Sequence, residues 1–129
     1  MGKYIEICED AVRRYHIDLC DGTKCSNDWS RMHAHVKLRR VCKFKYRNSI
    51  NAVFDLLHEI GHIETTLSSM RRCESEFFAT VWAIKTAKEV YHLEFPESII
   101  KRYQEYITRE WDRGKRRGGN LPPLDKFKL

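Results

Sequence analysis

Residues 58–62 read His-Glu-Ile-Gly-His, inside a stretch where Ile50, Val53, Phe54, Leu57 and Ile60 recur at steps of three and four. That recurrence is the apolar stripe of an α-helix, with Asn48 or Ser49 as its N-cap and an end near Glu64. Residues four apart share one face of a helix, so His58 and His62 project their imidazoles together while the carboxylate of Glu59 sits beside them. Two imidazoles on one face form half of a divalent-cation site. Zinc is the ion this HExxH spacing suits, one per chain, with Glu59 free to act as the general base.

A zinc that must also meet a reactant keeps three protein ligands and one open position, so a third donor has to come from another element. The next periodic stretch runs from about Met70 to Tyr91 and contains Glu74 and Glu76. Two positions on a helix differ by about 200° of rotation, so one of these acids can face the metal and the other cannot. Glu76 shares a face with Ala79 and Ala83, and small residues there let the two helices approach closely; Glu76 is therefore the expected ligand. Glu74 suits the helix N-terminus, where a negative charge favours the dipole.

The remaining elements follow from the same patterns. Tyr4, Ile5, Cys8, Ala11, Val12 and Tyr15 mark a first helix over 3–16. Residues 33–38 and 41–46 alternate apolar with polar, which predicts an antiparallel strand pair turning at Arg39-Arg40. In the second strand Cys42, Phe44 and Tyr46 share one face, and Lys43 and Lys45, followed by Arg47, line the other. Pro96 opens a last helix that buries Ile99, Ile100, Tyr103, Ile107 and Trp111 before Gly114 stops it. The expected architecture is α+β: one domain over 1–113, with a small antiparallel sheet packed on the HExxH helix and the Glu-bearing helix that follows. Residues 114–129 lack periodicity and read as a flexible basic extension.

Composition sets the boundaries of the functional reading. The 129 residues contain no apolar run near the roughly 18 of a membrane span, and the acid-bearing N-terminus lacks a signal-peptide core, so the expected setting is cytoplasmic and off the membrane. Five cysteines without a CxxC pair favour reduced thiols over a disulfide framework. The net charge of +6 is concentrated at Arg31–Arg47 and from Arg109 onward, which admits a polyanionic partner. His33 and His35, two apart on one strand face, could ligate a second metal, but a solvated pair is the commoner use of that pattern. His16 and His92 have no ligand-like neighbours, Cys73 is expected to be a bystander thiol, and Trp82 and Trp111 are expected in the core.

HEIGH at 58–62, followed by Glu76-Phe77-Phe78-Ala79-Thr80-Val81-Trp82-Ala83, resembles the ImmA/IrrE family of zinc metallopeptidases over about residues 36–90. The family carries HExxH on one helix and a Glu-x-x-Ala-x-x-aromatic-Ala pattern on the next. The resemblance implies a compact zincin-like domain with His58, His62 and Glu76 as ligands and Glu59 as base. It implies an endopeptidase whose protein substrate is a transcriptional repressor, as in family members from phages and mobile elements. In zincins the strand bordering the active-site helix pairs with an extended substrate; here Lys43, Lys45 and Arg47 would line that approach and favour an acidic stretch in the target. Two rivals stand beside this reading. One is a zincin fold that grips a regulator without cutting, against which the general base argues. The other is a basic nucleic-acid-binding protein, against which the lack of a reading helix argues.

Overall fold

Helix α2 (Ile50–Thr65) is the centre of the molecule: Val53, Phe54, Leu56, Leu57 and Ile60 are each at most 1% exposed. Its N-cap is Ser49, whose Oγ accepts the Ala52 N–H at 3.2 Å. Asn48 serves another helix. Its Oδ1 accepts the Tyr4 N–H at 3.0 Å, closing the first turn of α1 (Lys3–Arg14). Among the described residues, α1, α3 (Arg72–Tyr91) and α4 (Glu97–Arg116) lie around α2, with three short strands, β1 (Asp18–Cys20), β2 (His33–His35) and β3 (Arg40–Cys42). This computed structural model describes residues 2–21 and 31–129.

Helices α2 and α3 meet backbone to backbone. A methyl group built on Gly61 would lie 2.4 Å from the carbonyl oxygen of Ala79, so only glycine fits there. Ala79 and Ala83 are both fully buried on the facing side of α3, the small-residue face expected for close approach.

The sheet is mixed, with strand order β1-β3-β2, not the antiparallel pair expected from the alternation. The β2–β3 hairpin forms, with His33 opposite Cys42 and His35 opposite Arg40, and β1 adds in parallel on the far side of β3. Leu19, Ala34 and Val41 face the helical core. The hairpin turn depends on Arg39, which takes a left-handed φ of 49°. Its guanidinium donates to the Tyr15 carbonyl at 2.7 Å and to Glu64, tying the turn to α1 and to the end of α2. The second strand stops at Cys42 because Lys43 has φ 65°, which breaks the extended run expected to continue through residue 46.

The C-terminal segment also differs from expectation. Gly114 lies inside α4, which continues to Arg116 and ends where Gly118, at φ 78°, turns the chain back. Leu121 packs over Gly114, where a β-carbon would be only 2.8 Å from its Cδ1. Trp111 donates its indole N–H to the Pro122 carbonyl at 2.9 Å, and Gln104 bonds both the Phe127 carbonyl and the Leu129 N–H. Phe127, 3% exposed in the 3-10 turn Leu124–Phe127, completes a cluster with Cys73 and Ile107. Residues 114–129 are therefore packed onto α4, because Leu121 and Phe127 find apolar partners there.

The expectation of reduced thiols fails at one position. Cys42 is disulfide-bonded, whereas Cys8, Cys20 and Cys73 are thiols. Cys25 lies outside the described residues. Among the described residues, no helix is long and apolar enough to cross a membrane.

Candidate metal centre

Helices α2 and α3 bring His58, His62 and Glu76 together, one ligand atom from each lying within 4.8 Å of the others. Glu76 Oε2 is 3.0 Å from His58 Nε2 and 3.3 Å from His62 Nε2. His58 Nε2 and Glu76 Oε2 are buried, and outside this trio neither has a hydrogen-bond partner. A buried polar atom left unmatched costs about 1–3 kcal/mol. Convergence of such atoms on one point is how ligands stand around a shared cation, so the donor set fits a metal ion.

Supporting contacts fix the ligands. The His58 ring is stacked on Phe54, with centroids 5.9 Å apart, and meets Tyr103 edge-on at 5.1 Å. His62 Nδ1 lies 3.0 Å from Ser75 Oγ, which in turn is 2.8 Å from Thr66 Oγ1. Hydroxyl partners of this kind orient a ligating imidazole so that its other nitrogen faces the metal. Glu74 points elsewhere: its carboxylate accepts the Arg71 N–H at 3.1 Å and caps α3.

The electrostatics separate the two acids of the site. Burial alone would raise the pKa of Glu76, but His58 and His62 beside it outweigh this and hold its carboxyl well below the usual range. Glu59, 8% exposed, is shifted upward, chiefly by desolvation, against the pull of the same histidines. One acid is thus held as a carboxylate and the other is pushed toward its neutral form.

Tyr103 is the site residue that sequence reasoning assigned only to the core. Its ring packs on Phe54 and His58, and its pKa is raised chiefly by burial and further by the charges of Asp55, Glu59 and Glu76. Its place in the apolar stripe of α4 hid it; an aromatic with a polar tip inside such a stripe is the one available signal.

The expected basic face is absent as a strand face, because β3 ends before Lys43. Lys43, Lys45 and Arg47 instead line a cleft of about 250 Å³ with Met32, Phe44 and Asp55. Arg47 pairs with Asp55 at 3.1 Å, and Asp55 lies one turn before His58 on α2. Among the described residues the sheet edges are β1 and β2, not the segment that carries these cations. His16 and His92 both take left-handed φ values, 54° and 52°, and end α1 and α3. Cys73 is a core thiol, its pKa pushed up to about 11 by burial.

Compared with known proteins, the chain matches no family model, no curated protein and no solved structure.

Proposed function

We propose that the chain is a zinc-dependent metalloendopeptidase with a zincin-like fold, of the ImmA/IrrE kind that its HEIGH and Glu76–Ala83 segments resemble. Its substrate is a protein, with a transcriptional repressor as the candidate. The observation that carries the reading is the convergence of His58 Nε2 and His62 Nε2 on the buried Glu76 Oε2, with the raised carboxyl of Glu59 next to them. A cation needed only for structure would not call for a desolvated acid at its side.

Zinc held by His58, His62 and Glu76 would supply Lewis acidity toward the scissile carbonyl and lower the pKa of water toward about 7. Glu59 takes the proton from the attacking water at a carboxylate oxygen and delivers it to the departing amide nitrogen. Its upward-shifted pKa suits both halves of that transfer. Tyr103, whose ring meets His58 edge-on, would donate its phenolic hydrogen to the carbonyl oxygen as negative charge builds there. Lys43, Lys45 and Arg47 give the cleft they line a positive rim that favours an acidic stretch of substrate.

The test is a trap. Glu59→Gln is expected to keep zinc, bind the substrate and leave it intact, so that mass spectrometry of captured proteins identifies a partner that the wild type cleaves. If the wild type leaves every captured partner whole, the peptidase reading fails and the gripping module replaces it.

A further inference from the structure

The sheet has a second face. The register sets Cys20, Cys42 and His33 in one row across β1, β3 and β2, with His35 two residues along from His33, while Leu19, Ala34 and Val41 point the other way into the core. Although this face is turned from the helical core, His33 is 6% and Cys42 0% exposed. The ligand atoms of His33, His35 and Cys42 lie within 4.8 Å of one another, and the two imidazoles meet edge to face at 4.9 Å. His33 Nδ1–H donates to the Arg31 carbonyl at 2.8 Å, which fixes the tautomer with its lone pair on Nε2, as ligating histidines are fixed. His35 Nε2 is buried and makes no hydrogen bond.

We propose that His33, His35 and Cys42 form a second cation site, sharing no ligand with the centre on α2 and α3, that becomes available when the Cys42 disulfide is reduced. One thiolate and two imidazoles select a thiophilic divalent ion of the zinc type in tetrahedral geometry. In the opening step a dithiol gives two electrons and two protons to the Cys42 disulfide, leaving two protein thiols, and ends as a disulfide itself. The Cys42 thiol then releases its proton to solvent as Sγ takes the cation. The site would clamp the β2–β3 hairpin across its strands, and it stands whether or not the chain is a peptidase.

Cobalt(II) reports it. The full chain, stripped of metal, reduced with dithiothreitol and desalted without air, is titrated with cobalt beside an unreduced sample. Reduced protein is expected to take up one more equivalent than unreduced protein and to show a near-ultraviolet sulfur-to-cobalt charge-transfer band. Cys42→Ser should remove that band, and His35→Ala should weaken the same binding event at least tenfold. A His58→Ala/His62→Ala double variant should keep it, since the α2–α3 centre contains no sulfur donor. Should Cys42→Ser fail to fold, His35→Ala carries the test, with circular dichroism as the control. A band that survives Cys42→Ser, a band already present without reduction, or no extra equivalent in reduced wild type overturns the proposal.

Discussion

Replacing Gly61 with alanine tests whether α2 and α3 touch at the backbone. Elsewhere in a helix the change would stabilise by about 1 kcal/mol, because alanine is the better helix former. Here the new methyl group would meet the Ala79 carbonyl oxygen at 2.4 Å, and ordinary contact begins at 3.4 Å, so the helices must separate by about 1 Å. The obstacle is backbone and cannot rotate aside. Overpacking of this kind costs about 1–3 kcal/mol, and the upper part of that range, offset by the propensity gain, leaves a net loss of about 1–2 kcal/mol. The same displacement moves Glu76 relative to His58 and His62, and metal ligands tolerate only about 0.2 Å of misplacement. Metal affinity should therefore fall at least tenfold. Urea unfolding of the metal-free chain, followed by circular dichroism, measures the first effect, and competition against a chromophoric chelator measures the second. A Gly61→Ala chain that is more stable than wild type and binds metal equally well would refute the helix contact.

Three further outcomes follow from the packing and the charges. Glu76→Ala should abolish metal binding, whereas Glu74→Ala should retain it and lose only about 0.5–1 kcal/mol of cap stability, as read by elemental analysis and urea unfolding. Phe127→Ala should cost about 3 kcal/mol in the same unfolding assay, since its ring is 3% exposed against Cys73 and Ile107; an unchanged midpoint would mean that the C-terminal segment is not packed. In the metal-free chain, Glu76 has a depressed pKa, so its contribution is present above its unfolded value of about 4.3 and is lost as pH falls. Burial opposes charge on His62, but Glu76 raises its pKa, so that contribution is full below about 6.5 and is lost as pH rises through the raised value. The urea midpoint should therefore peak between about pH 5 and 6.5, and Glu76→Gln should flatten the curve.

How much of this was readable from the chain depended on how far each signal extended. Helix α2 declared itself through five apolar residues in register and a serine at its start, and Ala79 and Ala83 on the same helical face singled out Glu76 over Glu74. Strand β1 has three residues, Asp18–Cys20, too few for alternation to register. The strand expected over 41–46 was lost to one left-handed residue, Lys43, whose side chain gives no warning of its φ. Phe127 is a lone aromatic among polar residues and prolines; its burial depends on a gap beside Ile107 and Cys73 that no local pattern reveals. Tyr103 was visible as an apolar position, but its nearness to His58 depends on how α4 crosses α2.

The three donors of the metal centre lie between residues 58 and 76, on two helices joined by the short link at 66–71. Closing so short a loop costs little chain entropy, and contacts this local form quickly. The centre therefore belongs to a single helical hairpin, and its assembly need not wait for the sheet. A cation captured by that hairpin would stabilise it as one cooperative unit, leaving β1–β3 and the C-terminal wrap free to open on their own.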